Sequence, residues 1–410
     1  MTKKKKKSQK NKSKSKKLQQ QKQAVAFDVE KKKDNQLAKK KETKEKVEVK
    51  ETKQKIEAKP TKKEDTKQKK EIVKVETDNK TIDKKEEKAR APYLSYIRAI
   101  AAVAIVLLHS AFAYAGIEGV ASTTVKVAMT IRNCFLWAVP LFVMVSGALL
   151  LDPKKEISYK DIFYKYIKRI LILIVVFTLI NEAFDVLLLG KRYETAFVLE
   201  YIKKALTDGS WPHMWYLYML IGLYLLLPIY RLAVKNMQQK DYQYLLIVYF
   251  IFLSVQPFIQ SIFHVQSAFY IMATTIYPFY FFAGYAIDKE YIQIPKKYAI
   301  GGVVVGLLVT AFSTMYLKDY SFIHYSFPFV ILQSLCLFAL FKNQKGLEKF
   351  DKVLAQMDYV SLGVYLLHLY AIRFLFTIVG MNQSIWMIIP VACISYMFSY
   401  ICTYVYKRIG

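Results

Sequence analysis

The chain has 410 residues, a net charge of +29 and 54% hydrophobic residues. More than half of its basic residues lie within residues 1–90, whereas residues 91–410 hold nearly all the Tyr, Phe and Trp. This uneven distribution excludes a single basic globular domain and predicts two parts of different character. The four cysteines form no CxxC pair, so neither a disulfide framework nor a zinc site is expected.

Residues 1–90 are predicted to form a disordered, Lys-rich cytoplasmic tail. A segment with so few apolar residues cannot bury enough surface to offset its ordering entropy. Its lysine runs are suited to contact anionic lipid head groups. Nucleic-acid binding is not expected, because no aromatic residues are interleaved for base stacking.

Apolar segments of near-spanning length recur from residue 94 to the end of the chain. They predict an all-α membrane protein whose 91–410 domain has ten transmembrane helices, near 94–116, 131–151, 169–190, 213–230, 243–262, 267–287, 298–316, 323–341, 358–379 and 385–406. Basic residues are more frequent in every second connection, beginning with 152–168, which places both termini in the cytoplasm. We therefore expect a multi-pass protein of the cell membrane, surrounded by membrane lipids.

The first predicted helix carries two ionisable residues, Arg98 and His109. Such residues are costly within a membrane helix and usually functional. Their spacing corresponds to about three helical turns, so both side chains lie on one face, about 16 Å apart along the axis. Arg98 is either a snorkelling anchor or a phosphate-binding cation. His109 is either a hydrogen-bonded core histidine or a general base, for which imidazole has a suitable unperturbed pKa of about 6.5.

The second, third and fourth predicted helices carry further polar residues. Ser146 and the glycine after it form a small spot that allows close approach of a helix or a ligand. Glu182 lies near the outer end of the third helix, where it could orient His109 or an acceptor hydroxyl, although a solvated helix end is the simpler interpretation. His213 and Trp215 are expected at the external interface, as part of an aromatic belt or as a surface for a sugar ring.

The ninth predicted helix contains Ser361, Tyr365 and His368, whose spacing places them on one helical face. A polar face at membrane depth must point into the bundle, either for helix packing or for a site. The histidines of the chain lack metal-ligand spacing, and no Walker, GxGxxG, GxSxG or HExxH motif occurs. We therefore expect no metal and no bound cofactor.

Four sequence blocks, in this order along the chain, resemble the acyltransferase 3 family of membrane acyltransferases. The blocks are Tyr96–Ile100 followed by His109, Val139–Phe142 followed by Ser146 and Gly147, Trp215–Tyr218 followed by Gly222–Pro228, and Ser361–His368. The resemblance spans about residues 91–408. It implies ten helices and transfer of an acyl group, usually acetyl from acetyl-CoA on the cytoplasmic side, to a hydroxyl of a carbohydrate, commonly a cell-surface glycan.

The resemblance also implies roles for particular residues. His109 matches the catalytic histidine and Arg98 a CoA-contacting or site-forming arginine. Lys165, Lys168 and Arg169 would hold the CoA phosphates. The family's Arg-x-x-Arg motif is incomplete, because Tyr166 stands where its first arginine is expected and Arg169 supplies the second. The candidate pore-lining or acceptor-lining residues are Ser146, Glu182, His213, Trp215, Tyr365 and His368.

Many relatives append an extracytoplasmic hydrolase-like domain, which is not found before Gly410. We therefore expect a stand-alone membrane domain. Two other functions fit the same pattern of helices. A multi-spanning transporter or exporter of a polysaccharide or its precursor would move intact substrate without consuming acyl-CoA. A non-catalytic scaffold would depend on the basic tail to recruit partners.

Overall fold

The computed structural model describes residues 91–190, 203, 211–271, 273–344, 346–380 and 384–409. The predicted tail, residues 1–90, lies outside the described residues. Throughout the described ranges the regular elements are helices. The all-α prediction is therefore confirmed for this part of the chain.

The α-helices are numbered in chain order. They are α1 (Pro92–Ala115), α2 (Ser122–Cys134), α3 (Ala138–Leu150), α4 (Lys168–Leu189), α5 (Trp215–Leu225), α6 (Leu227–Asn236), α7 (Gln239–Phe250), α8 (Gln256–Phe263), α9 (Tyr277–Asp288), α10 (Lys296–Tyr316), α11 (Pro328–Lys342), α12 (Asp351–Arg373) and α13 (Ile388–Ile409). A π-helical turn precedes α4, a second joins α7 to α8 and a third follows α12, at Asp161–Ile167, Ile251–Val255 and Phe374–Ile378. Prolines stand in the first turns of α1, α9 and α11, where a missing N–H costs no hydrogen bond.

Seven helical segments in the described ranges are long and apolar enough to cross a membrane. The pair α5 and α6 meets at a 52° bend and would make an eighth span if it crosses as one unit. Its bend coincides with Pro228, which stands in the first turn of α6 and cannot continue the hydrogen-bond ladder. The segments α9 and α11 are helical but shorter, with 12 and 15 residues. Membrane helices are thus established, and ten complete spans with cytoplasmic termini stay a prediction.

The predicted sixth span, 267–287, is wrong in its first half. The described residues between Phe263 and Tyr277 form no regular helix, and α9 begins only at Tyr277. His264 ends α8 with φ 54°, and the Ser267 hydroxyl exchanges hydrogen bonds with the backbone of Phe269. Such local bonds compete with the helical ladder, and the β-branched residues that follow are weaker helix formers. Apolar composition alone does not register either effect.

Helices α3 and α9 pack with their backbones in contact at two glycines. A Cβ atom added to Gly147 would lie 1.8 Å from Phe281 O, and one added to Gly284 would lie 2.0 Å from Met144 O. Only glycine leaves room for this approach, which is typical of small residues between membrane helices. The predicted close approach beside Ser146 is confirmed, and its partner is a helix.

Replacing Gly284 should destabilise the bundle. Because its Cβ position overlaps a backbone oxygen of α3, Gly284→Ala should lower stability by about 1–3 kcal/mol, the usual cost of overpacking. The measurement is thermal unfolding of the purified protein in detergent. Gly301→Ala is the matched control, because nothing lies within 4 Å of its added Cβ. Equal melting temperatures for the two variants would contradict the packing described here.

Candidate active site

Three histidines that are distant in the sequence lie together inside the helix bundle. The ring centroids of His109 on α1 and His368 on α12 are 4.9 Å apart, and that of His213, just before α5, is 5.6 Å from His368. Helices α1 and α12 pack side by side. The buried face of α1 is rich in alanine, which permits this close packing. The structure therefore brings together the predicted catalytic residue His109 and two predicted lining residues, His213 and His368.

The hydrogen bonds of the His109–His368 pair define which nitrogen carries each proton. His368 Nδ1 lies 3.0 Å from Val364 O, and a carbonyl oxygen only accepts, so the neutral ring donates Nδ1–H there. His368 Nε2 then has the lone pair. It lies 3.2 Å from His109 Nδ1, which is also 3.0 Å from Ile105 O. His109 therefore donates Nδ1–H to both, and its Nε2 has the free lone pair.

This tautomer makes His109 Nε2 a proton acceptor directed away from its orienting partner. The His109 ring is half-buried, whereas His368 is fully buried. If Nε2 takes a proton, the bond from Nδ1–H to His368 becomes charge-assisted and stronger. A histidine base held through its other ring nitrogen is a recurring arrangement in hydrolases and transferases. The geometry can therefore support general base chemistry.

The acidic end of α4 is packed into the bundle. Asp185 forms an ion pair with Arg373 at 2.8 Å, and Asn181 accepts a hydrogen bond from Tyr370. Glu182 is buried beside them. The prediction of a solvated helix end is therefore wrong. Helix α12 faces these residues and supplies partners to Asp185 and Asn181, which offset the desolvation cost of their burial. His109 Nδ1 has a partner on α12, His368, and the suggested contact between Glu182 and His109 stays a prediction.

His213 is also placed differently from the expectation. Its side chain is only 1% exposed, so it is a buried residue and not part of an interfacial belt. Its carbonyl accepts a hydrogen bond from Tyr365. Trp215 is half-buried and contacts the rings of Tyr277 and Tyr325. Ser146 donates its hydroxyl proton to Phe142 O within α3.

Arg98 forms a bidentate ion pair with Asp358 on α12, with N···O distances of 2.5 and 2.6 Å. Sequence reasoning missed Asp358, which lies 260 residues away along the chain. Lys407 of α13 interacts electrostatically with both Asp358 and Arg169. We refer to Arg98, Arg169 and Lys407 as the basic group, because charge interactions link Lys407 to Arg169 and to Asp358, the partner of Arg98.

The other predicted donor-binding residues, Lys165 and Lys168, lie just before Arg169 in the chain. Lys165 interacts with Asp161 at the π-helical turn, and Lys168 is exposed. Tyr166, at the position of the expected arginine, places its ring 5.8 Å from that of Tyr224. No group of three or more His, Cys, Asp or Glu in the described ranges could hold a metal ion.

A family model described as an acyltransferase domain matches residues 91–406, which include the whole His109–His368 arrangement. The chain belongs to the acyltransferase 3 family. It is therefore a membrane acyltransferase, as its blocks of sequence indicated. No curated protein and no solved structure matches the chain.

The ion pair between Arg98 and Asp358 should stabilise the packing of α1 on α12 in this acyltransferase. Because both side chains are largely buried, Asp358→Asn should lower stability by about 1–3 kcal/mol. Thermal unfolding of Asp358→Asn, Arg98→Gln and the double variant forms a double-mutant cycle. Strictly additive losses would show that the two residues are not coupled.

Proposed function

We propose that the protein is an O-acyltransferase that moves an acyl group, most simply acetyl from acetyl-CoA, to a hydroxyl of a cell-surface carbohydrate or cell-wall polymer. His109 is the general base. The observation that carries this proposal is the hydrogen bond from His109 Nδ1 to His368 Nε2. It leaves the lone pair of His109 Nε2 available to accept a proton, in a ring that is half-buried. The family match supports the acyl-transfer class.

The reaction needs one proton to be taken and returned. His109 Nε2 takes the proton from the acceptor hydroxyl as its oxygen attacks the thioester carbonyl. The tetrahedral intermediate then collapses, the carbon–sulfur bond breaks, and the imidazolium returns the proton to the departing CoA thiolate. The products are a carbohydrate ester and free CoA. Throughout, His368 holds the ring of His109 and accepts its Nδ1–H.

The donor phosphates are proposed to bind at the basic group of Arg98, Arg169 and Lys407, on the predicted cytoplasmic side. Arginine suits this role because its planar fork of donors matches phosphate oxygens. Arg98 already holds Asp358, so the donor must share or replace that carboxylate. Lys165 and Lys168 remain candidates for the outer part of this site as exposed cations.

The acceptor is proposed to approach His109 from the opposite, external side. His213 and Tyr365 are neighbours of His368, with ring centroids 5.6 and 6.3 Å from it. Trp215 lies beyond them and is half-buried. We propose these three residues, together with Ser146 and Glu182, as the acceptor lining.

His109→Ala should abolish most acyl transfer. Loss of a general base lowers the rate of the reaction by roughly 10²–10⁴-fold. The measurement is incorporation of label from [acetyl-¹⁴C]acetyl-CoA into cell-surface polymer by membranes that contain the full chain. His264→Asn is the matched control, because His264 is exposed and its left-handed backbone tolerates asparagine. Wild-type transfer by a well-folded His109→Ala protein would contradict the proposal, as would polymer export without release of CoA.

His368 should act as a positioning residue for His109. His368→Leu removes the acceptor of the Nδ1 proton, so kcat should fall by up to the roughly 10²–10⁴-fold contributed by the base, while KM for acetyl-CoA changes little. His368→Gln keeps an acceptor and should recover part of the loss. Steady-state kinetics on both variants checks this expectation. An unchanged kcat in a folded His368→Leu protein, or a change confined to KM, would exclude the role.

A further inference from the structure

Three aromatic rings form a shelf beside the histidine pair. The aromatic shelf consists of Trp215, Tyr277 and Tyr325, whose centroids are 5.3, 5.5 and 6.1 Å apart. The rings come from the starts of α5 and α9 and from the segment before α11. All three are half-buried and so retain accessible surface inside the helical domain. Aromatic faces of this kind can hold the apolar face of a sugar ring.

The shelf is continuous with the candidate active site. Trp215 contacts Tyr216, with a centroid distance of 6.2 Å, and Tyr216 contacts Tyr365 at 5.4 Å. Tyr365 in turn lies 6.3 Å from His368, the partner of His109. A chain of ring contacts therefore connects the shelf to the catalytic pair.

Arg132, near the end of α2, adds a cation to this region. Its charge interacts with His109 and with Tyr320, His324 and Tyr325. Its guanidinium carbon lies 5.6 Å from the ring centroid of Phe112, which is one helical turn beyond His109 on α1. The charge of Arg132 thus acts on both the candidate base and Tyr325 of the shelf.

The hydrogen-bonding capacity of Arg132 is not used up by the protein. Its Nη1 donates to Asn133 Oδ1 at 2.6 Å. Its Nε is buried and has no hydrogen-bond partner. None of the ion pairs found in the described ranges includes Arg132. A buried cationic donor without an acceptor is costly, and an anionic ligand would remove that cost.

We propose that Arg132 and the aromatic shelf form a subsite for an anionic acceptor, a carbohydrate that bears a carboxylate or phosphate close to the hydroxyl that is acylated. This inference rests on the proposed function and names its acceptor class. The guanidinium fork would bind the anion, the shelf would hold the sugar ring, and the neighbouring hydroxyl would reach His109 Nε2. A neutral glycan would leave Arg132 Nε unpaired and would bind more weakly.

The test measures binding and does not require turnover. The purified full chain in lipid nanodiscs is titrated with methyl glucuronoside or its methyl ester, and with glucose 6-phosphate or glucose, while tryptophan fluorescence is recorded. The anionic sugars should produce a saturable change at concentrations at least about tenfold lower than the neutral ones need. Trp215→Phe should remove that change, which locates the ligand on the shelf.

Arg132→Gln should weaken binding of the anionic sugars by about tenfold or more and leave the neutral sugars unaffected. Lys126→Gln is the matched control, because it removes an equal charge from α2, where Lys126 donates to Leu317 O. Equal binding of acid and ester, unchanged binding by Arg132→Gln, or no saturable signal with any anionic sugar would overturn the inference. Failure of the proposed function is seen separately, as normal transfer by His109→Ala, a variant that should still bind the anionic sugars.

Discussion

The contact between α1 and α12 is the interaction on which the candidate site depends. Arg98 pairs with Asp358 near one end of the contact, and His109 pairs with His368 further along. The spacing between the two pairs is 11 residues on α1 and 10 on α12. Both correspond to about three helical turns, so the helices run parallel with the two pairs in register. A shift of either helix would break the ion pair and the hydrogen bond between the two histidines together.

Many polar side chains are buried inside the helix bundle. Several of the polar residues at its buried positions are paired with residues from another helix, as in Asp185 with Arg373 and Asn181 with Tyr370. Such pairing is the condition for placing charges in a medium of low dielectric. Arg132 departs from it, since its buried Nε has no hydrogen-bond partner. Its charge interacts with His109.

Backbone contact and helix bending complete the framework around the site. The two glycines between α3 and α9 hold these helices as close as their backbones allow. The bend between α5 and α6 lets α5 begin with Trp215 in the aromatic shelf while α6 takes a different direction. Rigid helices of this kind can hold catalytic side chains more precisely than loops.

The sequence by itself determined the membrane class, the helical fold and the shared face of Arg98 and His109, because apolar run length and the 3.6-residue period are local properties. Apolarity did not reveal that the described residues between Phe263 and Tyr277 are irregular, since it does not measure local hydrogen bonding. The identity of the group that orients His109 came only from the tertiary structure. Sequence spacing did not indicate that His368 contacts His109, because helix packing decides which side chains of α12 meet α1. The same packing buried His213 and paired Arg98 with a carboxylate 260 residues distant, because contacts between helices depend on which faces meet and not on distance along the chain.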